Sequence, residues 1–151
     1  MKPKLHAIAG AIALLTIASF WLSTLSAELF GDSGTIAAVK TAILAGMVVL
    51  IPAMALAGAS GFSLGRGWKS PVVARKKSRM KIIAANGLLI LLPSAFFLAG
   101  RAQAGLMDTS FFVVQAVELA AGAVNIALLS LNMRDGMRLR RRTAPASGRA
   151  R

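Results

Sequence analysis

Apolar residues are gathered into four stretches, Leu5–Leu29, Ile36–Ser60, Ile82–Gln103 and Ser110–Met133, parted by short polar segments. At about 1.5 Å of rise per helical residue, each is long enough to cross a hydrocarbon core of about 30 Å. In lipid, a segment must satisfy its own backbone hydrogen bonds, so each stretch is expected to be a helix. The pattern predicts an all-α fold, a polytopic membrane four-helix bundle. Residues 1–133 form the four-span domain, with a basic loop over 61–81, and residues 134–151 form a basic tail. Pro52 and Pro93 fall near the middle of spans two and three, where each removes a backbone donor and predicts a bend. Alanines and glycines such as Ala53, Ala57 and Gly58, or Ala116 and Ala120, recur at spacings that share one helix stripe and let backbones approach closely.

Charge then orients the spans. The chain of 151 residues holds 18 lysines and arginines against 5 acids, a net +13. Nearly all the cations lie in the 61–81 loop, in the tail, or at Lys2 and Lys4, whereas only Lys40 and Arg101 fall toward the opposite surface. By the positive-inside rule both termini and the central loop are expected in the cytoplasm, as in a multi-pass protein of a bacterial inner membrane. The two short hairpins, around Phe30–Thr35 and Arg101–Thr109, then face outward with Asp32 and Asp108. Lys2, Lys4 and the run to Thr24-Leu25-Ser26 imitate a signal peptide. That run is about twice the usual length of a signal's hydrophobic region, so it is read as an uncleaved helix. One offset lays Lys4-Leu5-His6-Ala7-Ile8-Ala9-Gly10 on Lys81-Ile82-Ile83-Ala84-Ala85-Asn86-Gly87 and, within a residue, Lys40 on Glu118. A parallel two-plus-two hairpin repeat is therefore a further expectation.

Candidate chemistry is sparse. With no cysteine, disulfides, thiolate nucleophiles, iron–sulfur clusters and thiolate zinc sites are excluded. No nucleophile is paired with a base, no metal-ligand cluster has the right spacing, and no enzyme activity is expected. Gly65-Arg66-Gly67-Trp68-Lys69-Ser70 brushes against a phosphate-binding loop but fails its spacing, and Trp68 reads better as an interfacial anchor. Glu118 is the leading candidate, because a bare carboxylate inside the bilayer costs several kcal/mol. It can pair with Lys40, hold a proton, or face a polar cavity with Gln115, Asn125 and Asn86, the first two sharing its helix face. Glu28 and Lys40, facing across the first hairpin, are expected to form an interfacial ion pair, with Arg101 and Asp108 doing the same on the second. Lys69, Arg75, Lys76, Lys77, Arg79, Arg138, Arg140, Arg141 and Arg142 are expected to meet anionic lipid headgroups, at about 1 kcal/mol per cation near the surface. No specific nucleic-acid partner is expected. His6 is the single histidine; a haem would need a methionine such as Met54, Met80, Met133 or Met137, or a second copy, and no cofactor is expected.

Lys4-Leu5-His6 with Ile8-Ala9-Gly10, then Phe20-Trp21-Leu22-Ser23-Thr24 and Leu131-Asn132-Met133-Arg134-Asp135-Gly136, resembles small four-span inner-membrane proteins of bacteria. The resemblance implies compartment and fold and brings no catalytic residue with it. Small multidrug-resistance transporters are also short four-span proteins, but their essential glutamate lies in the first span, whereas the deep acid here is in the fourth. Three functions follow in order: a non-enzymatic accessory or scaffold subunit, in a larger membrane complex or self-associated; a proton- or cation-coupled small transporter using Glu118; and a haem- or quinone-associated electron-transfer subunit.

Overall fold

The computed structural model describes residues 2–67 and 70–143, and is helical throughout apart from its connections. Helix α1 covers Lys2–Phe30 and α2 covers Ser33–Leu64. The third span is a continuous rod, α3 (Pro71–Asn86), a π-helical turn (Gly87–Leu91) and α4 (Leu92–Gln103). Helix α5 covers Thr109–Thr143. Four helices, Pro3–Phe30, Ser33–Leu64, Pro71–Gln103 and Thr109–Arg138, are long and apolar enough to cross a membrane, the pattern of a multi-pass membrane protein.

The helices begin and end where local chemistry dictates. Asp32 caps α2 by accepting from the Thr35 N–H and the Thr35 hydroxyl, both at 2.7 Å. Asp108 caps α5 in the same way, accepting from the Phe111 N–H at 3.1 Å and the Ser110 hydroxyl at 2.6 Å. Helix α4 closes in a Schellman turn: Gly105 takes φ +69°, the Leu106 N–H donates to Arg101 O, and the Gly105 N–H donates to Ala102 O. Pro71 sits at the first position of α3, where its missing N–H costs nothing. Pro93, deeper in the third span, lacks a donor; the helix widens just before it, and the Leu92 N–H reaches back to Gly87 O.

The polar 61–81 segment expected as a loop is mostly helix. Helix α2 continues to Leu64 and α3 starts at Pro71. Lys77 explains part of this, since its ammonium donates to Gly65 O at 2.9 Å and lies over the Phe62 ring at 5.5 Å, stapling the two helix ends. Lys69 and Trp68 lie outside the described residues, as do residues 144–151 of the tail and the side chains of Arg140, Arg141 and Arg142.

The spans pack as a ring, α1 against α2 and α5, and the third span against α2 and α5. Helices α2 and α5 stand on opposite corners. Two apolar clusters fill the interior. Near the hairpin end Ala27, Ile36, Leu98, Ala102 and Phe111 meet; toward the basic end Ile17, Ile83 and Leu129 meet with Met54 and Met80 beside them. Large apolar side chains such as Val48, Leu89 and Phe30 stand outside. Apolar outside and polar within is the arrangement that a hydrocarbon solvent selects.

Candidate functional site

Between the apolar clusters lies a polar layer. Lys40, only 2% exposed, extends from α2 across the bundle, and its ammonium donates to Glu118 Oε2 on α5 at 2.6 Å. Opposite corners are too far apart for short side chains, so the tie needs a long cation and a glutamate. Gln115, one turn before Glu118, donates its amide N–H to the same oxygen at 3.2 Å. Thr24 of α1 is buried at this level, and the Trp21 indole N–H donates to Leu119 O at 2.9 Å. Of the three fates open to Glu118 in the sequence, pairing with Lys40 is the one found. A cavity of about 50 Å³ adjoins the pair, lined by Glu118, Trp21, Thr24, Met47, Leu91 and Gly122 among others.

Glu28 departs from expectation. Among the described residues it forms no ion pair with Lys40, which is committed to Glu118, and Glu28 Oε1 is buried without a hydrogen-bond partner. It still lies in the electrostatic field of both Lys40 and Glu118. Gln115 Oε1 is likewise buried and unpartnered. Asn86 and Asn125 do not join this layer. They form a second tie toward the basic end, where the Asn86 amide donates to Asn125 Oδ1 at 2.8 Å and to Ala121 O at 2.9 Å. This tie lies immediately before the π-turn and fixes α3 to α5.

The basic end is more internally paired than its sequence suggests. Arg79, expected at the lipid surface, turns inward to Asp135 of α5 at 2.7 Å. Lys77 is spent on Gly65 O, and Lys76 is half-buried within the field of Asp135. Arg75 and Arg138 are exposed as expected. The sole acid at this end gathers the nearest cations, with Arg79 in a charge-assisted bond to Oδ2 and Arg134 at 3.9 Å from Oδ1. Asp135 was findable: with Asn125, Asn132 and Gln115 it continues one face of α5. Asn132 there is 7% exposed, with both amide atoms unpartnered. His6 faces α2, its Nδ1 lying 3.1 Å from Ala57 O and 3.1 Å from Ser60 Oγ. The carbonyl can only accept, so Nδ1–H donates and fixes the tautomer. Met54 and Met80 have different neighbours, in the apolar cluster, and Met133 and Met137 stand outside α5. Among the described residues no three of His, Asp and Glu gather as a metal site.

At the hairpin end Arg101 pairs with Asp108 and also donates to Ser110 Oγ at 3.0 Å. The Arg101 guanidinium and the Ser110 hydroxyl hold the Asp108 carboxyl well below the usual carboxylate range, and the Thr35 hydroxyl and N–H lower Asp32 likewise. Compared with family models, curated proteins and solved structures, the chain matches none, so the site is interpreted from its own residues.

Proposed function

We propose that the chain is a non-enzymatic integral protein of a bacterial inner membrane, an accessory or scaffold subunit with both termini and the basic connection in the cytoplasm. The observation that carries this is the Lys40–Glu118 bond with Gln115 behind it. The deepest acid of the chain is engaged in holding opposite corners of the bundle together rather than left open to a substrate. Arg75 and Arg138, exposed at the basic end, with Lys69 and the arginines 140–142, give that end its affinity for anionic headgroups. A parallel hairpin repeat fits the same frame. Each hairpin opens its second helix with an aspartate cap, Asp32 and Asp108, and the aligned positions Lys40 and Glu118 meet across the bundle axis. Affinity purification of the tagged full-length chain in mild detergent is expected to bring down a membrane partner in fixed proportion. Recovery of the chain alone from native membranes overturns the subunit assignment.

The cavity beside Glu118 favours a second reading, a proton- or cation-coupled transporter. Its mark is flux into proteoliposomes that Glu118→Gln abolishes while the helical content survives.

A further inference from the structure

We propose that the outer groove between α1 and α2 is a binding site for one anionic phospholipid, an acyl chain lying in the groove and the headgroup phosphate among the cations at its basic end. Side-chain size makes the groove, which encloses about 230 Å³. Leu5, Ile8 and Ile12 of α1 and Val49 and Leu56 of α2 stand as exposed banks, while Ala9 and Ala53, 4% and 6% exposed, form the floor. Pro52 keeps the floor low beside Ala53, because its ring is tied back to the backbone and reaches out less far than a leucine. The two helices are held at both ends of the gap. Toward the basic end His6 ties α1 to Ala57 O and Ser60 Oγ of α2, and deeper in the bundle Phe20 seats on Gly46.

Length and charge identify the occupant. From Leu5 to Ile12 the groove follows about two helical turns, roughly 10 Å, against about 15 Å for half of a 30 Å hydrocarbon core. It therefore accompanies most of one acyl chain within the leaflet of the basic end. Only apolar side chains line it, so a peptide backbone laid there would find no hydrogen-bond partner. Cations collect where the groove opens. Lys4 is exposed immediately before Leu5, Arg66 is exposed just past the end of α2, and Lys77 brings its ammonium to Gly65 O at 2.9 Å. A carbonyl leaves that charge uncancelled, and Asp135, the acid found at this end among the described residues, is bonded to Arg79 on the α3–α5 side. An apolar trough that opens onto uncompensated positive charge is complementary to an acyl chain that ends in a phosphate. The site is separate from Arg75 and Arg138, neither of which stands on a helix lining the groove.

Photo-crosslinking of the full-length chain in liposomes tests the site, with phosphatidylglycerol that carries a diazirine midway along its acyl chain as the probe. Peptide mass mapping after illumination is expected to find the adducts concentrated on residues 5–12 and 49–56. The same probe with a phosphatidylcholine headgroup is expected to label these segments at least about tenfold less, and Lys4→Gln to lower the phosphatidylglycerol adducts about fivefold, as the loss of one surface cation implies. Ala53→Leu raises the floor and removes the adducts. Ile8→Ala cuts an exposed bank outside the core, so it lowers them without threatening the fold. Adducts spread evenly over exposed apolar positions such as Leu88, Leu89 and Val113, or equal labelling by the two headgroups, identify ordinary boundary lipid and overturn the proposal. Labelling unchanged in both Lys4→Gln and Ile8→Ala, or displaced by excess free glycerol phosphate, overturns it as well. An even spread still shows the spans in contact with lipid, so failure of this site is distinguishable from failure of the membrane and subunit readings.

Discussion

Removing one member of the Lys40–Glu118 pair strands the other as a buried charge, a loss of about 3–5 kcal/mol for pairs of this kind. Lys40→Met and Glu118→Leu, taken singly, are each expected to lower the unfolding midpoint in detergent by that order. The double variant, with neither charge left to desolvate, recovers most of the loss. A double-mutant cycle that returns no coupling between the two positions removes the clamp from the account. At the hairpin end the electrostatics are exposed and the expectation concerns acid. Asp108 and Asp32 titrate below the ordinary aspartate value in the folded chain. Each therefore adds stability that is complete above the unfolded value, near 3.9, and is lost as pH falls through the lowered folded value. Amide hydrogen exchange at Thr35 and Phe111, which those carboxylates cap, is expected to accelerate below about pH 4, and Asp108→Ala, which removes the cap's acceptor, to show that acceleration at Phe111 already at neutral pH.

Between helices, two glycines leave room for aromatic side chains of α1. A Cβ on Gly46 of α2 would lie 2.6 Å from Phe20 Cε1, and one on Gly122 of α5 would lie 3.0 Å from Trp21 Cδ1. The shallower overlap is expected to cost more. Phe20 has no polar tether and can swing aside, whereas Trp21 is held by its bond to Leu119 O and moves only by breaking it. Gly122→Val is expected to destabilise by about 1–3 kcal/mol and to shift Trp21 emission, with Gly46→Val below it. Thermal unfolding with Trp68 replaced by Phe, which leaves Trp21 as the sole fluorophore, measures both. At this scale the sequence was only partly legible. Span positions follow from hydropathy alone, but Pro71 as a helix start was hidden by the cations around it, whose charge reads as loop. The π-turn and the Trp21 and His6 bonds depend on which helix neighbours α1, and a single sequence does not encode that openly. Glu118 with Lys40 was among the legible pairings, because two deep opposite charges in an apolar chain have few other partners. The Glu28–Lys40 pair was misjudged for the same reason: one lysine faces two acids, and proximity along a hairpin does not decide between them.

For the molecule as a whole, the arrangement of charge makes a claim about direction. Among the described residues, the start of α1, the end of α2, the start of α3 and the end of α5 lie at one end of the ring, and the hairpins capped by Asp32 and Asp108 lie at the other. Lysines and arginines crowd the first end, and loops this short obey the cation bias that sets membrane orientation. The absence of cysteine turns this into a clean measurement, because a single introduced thiol is the chain's only one. Ser33→Cys, beside the first hairpin's exposed cap, and Thr109→Cys, at the start of α5, are expected to react with a membrane-impermeant maleimide added to intact cells. Ser78→Cys, on the exposed part of α3 at the basic end, is expected to react only after the cells are opened. The reverse labelling pattern places the basic end outside and removes the cytoplasmic assignment. Labelling of all three in intact cells removes the bilayer from between the two ends, and with it the reason why a lysine, a glutamine and a threonine lie inside this bundle while leucines and valines stand on its surface.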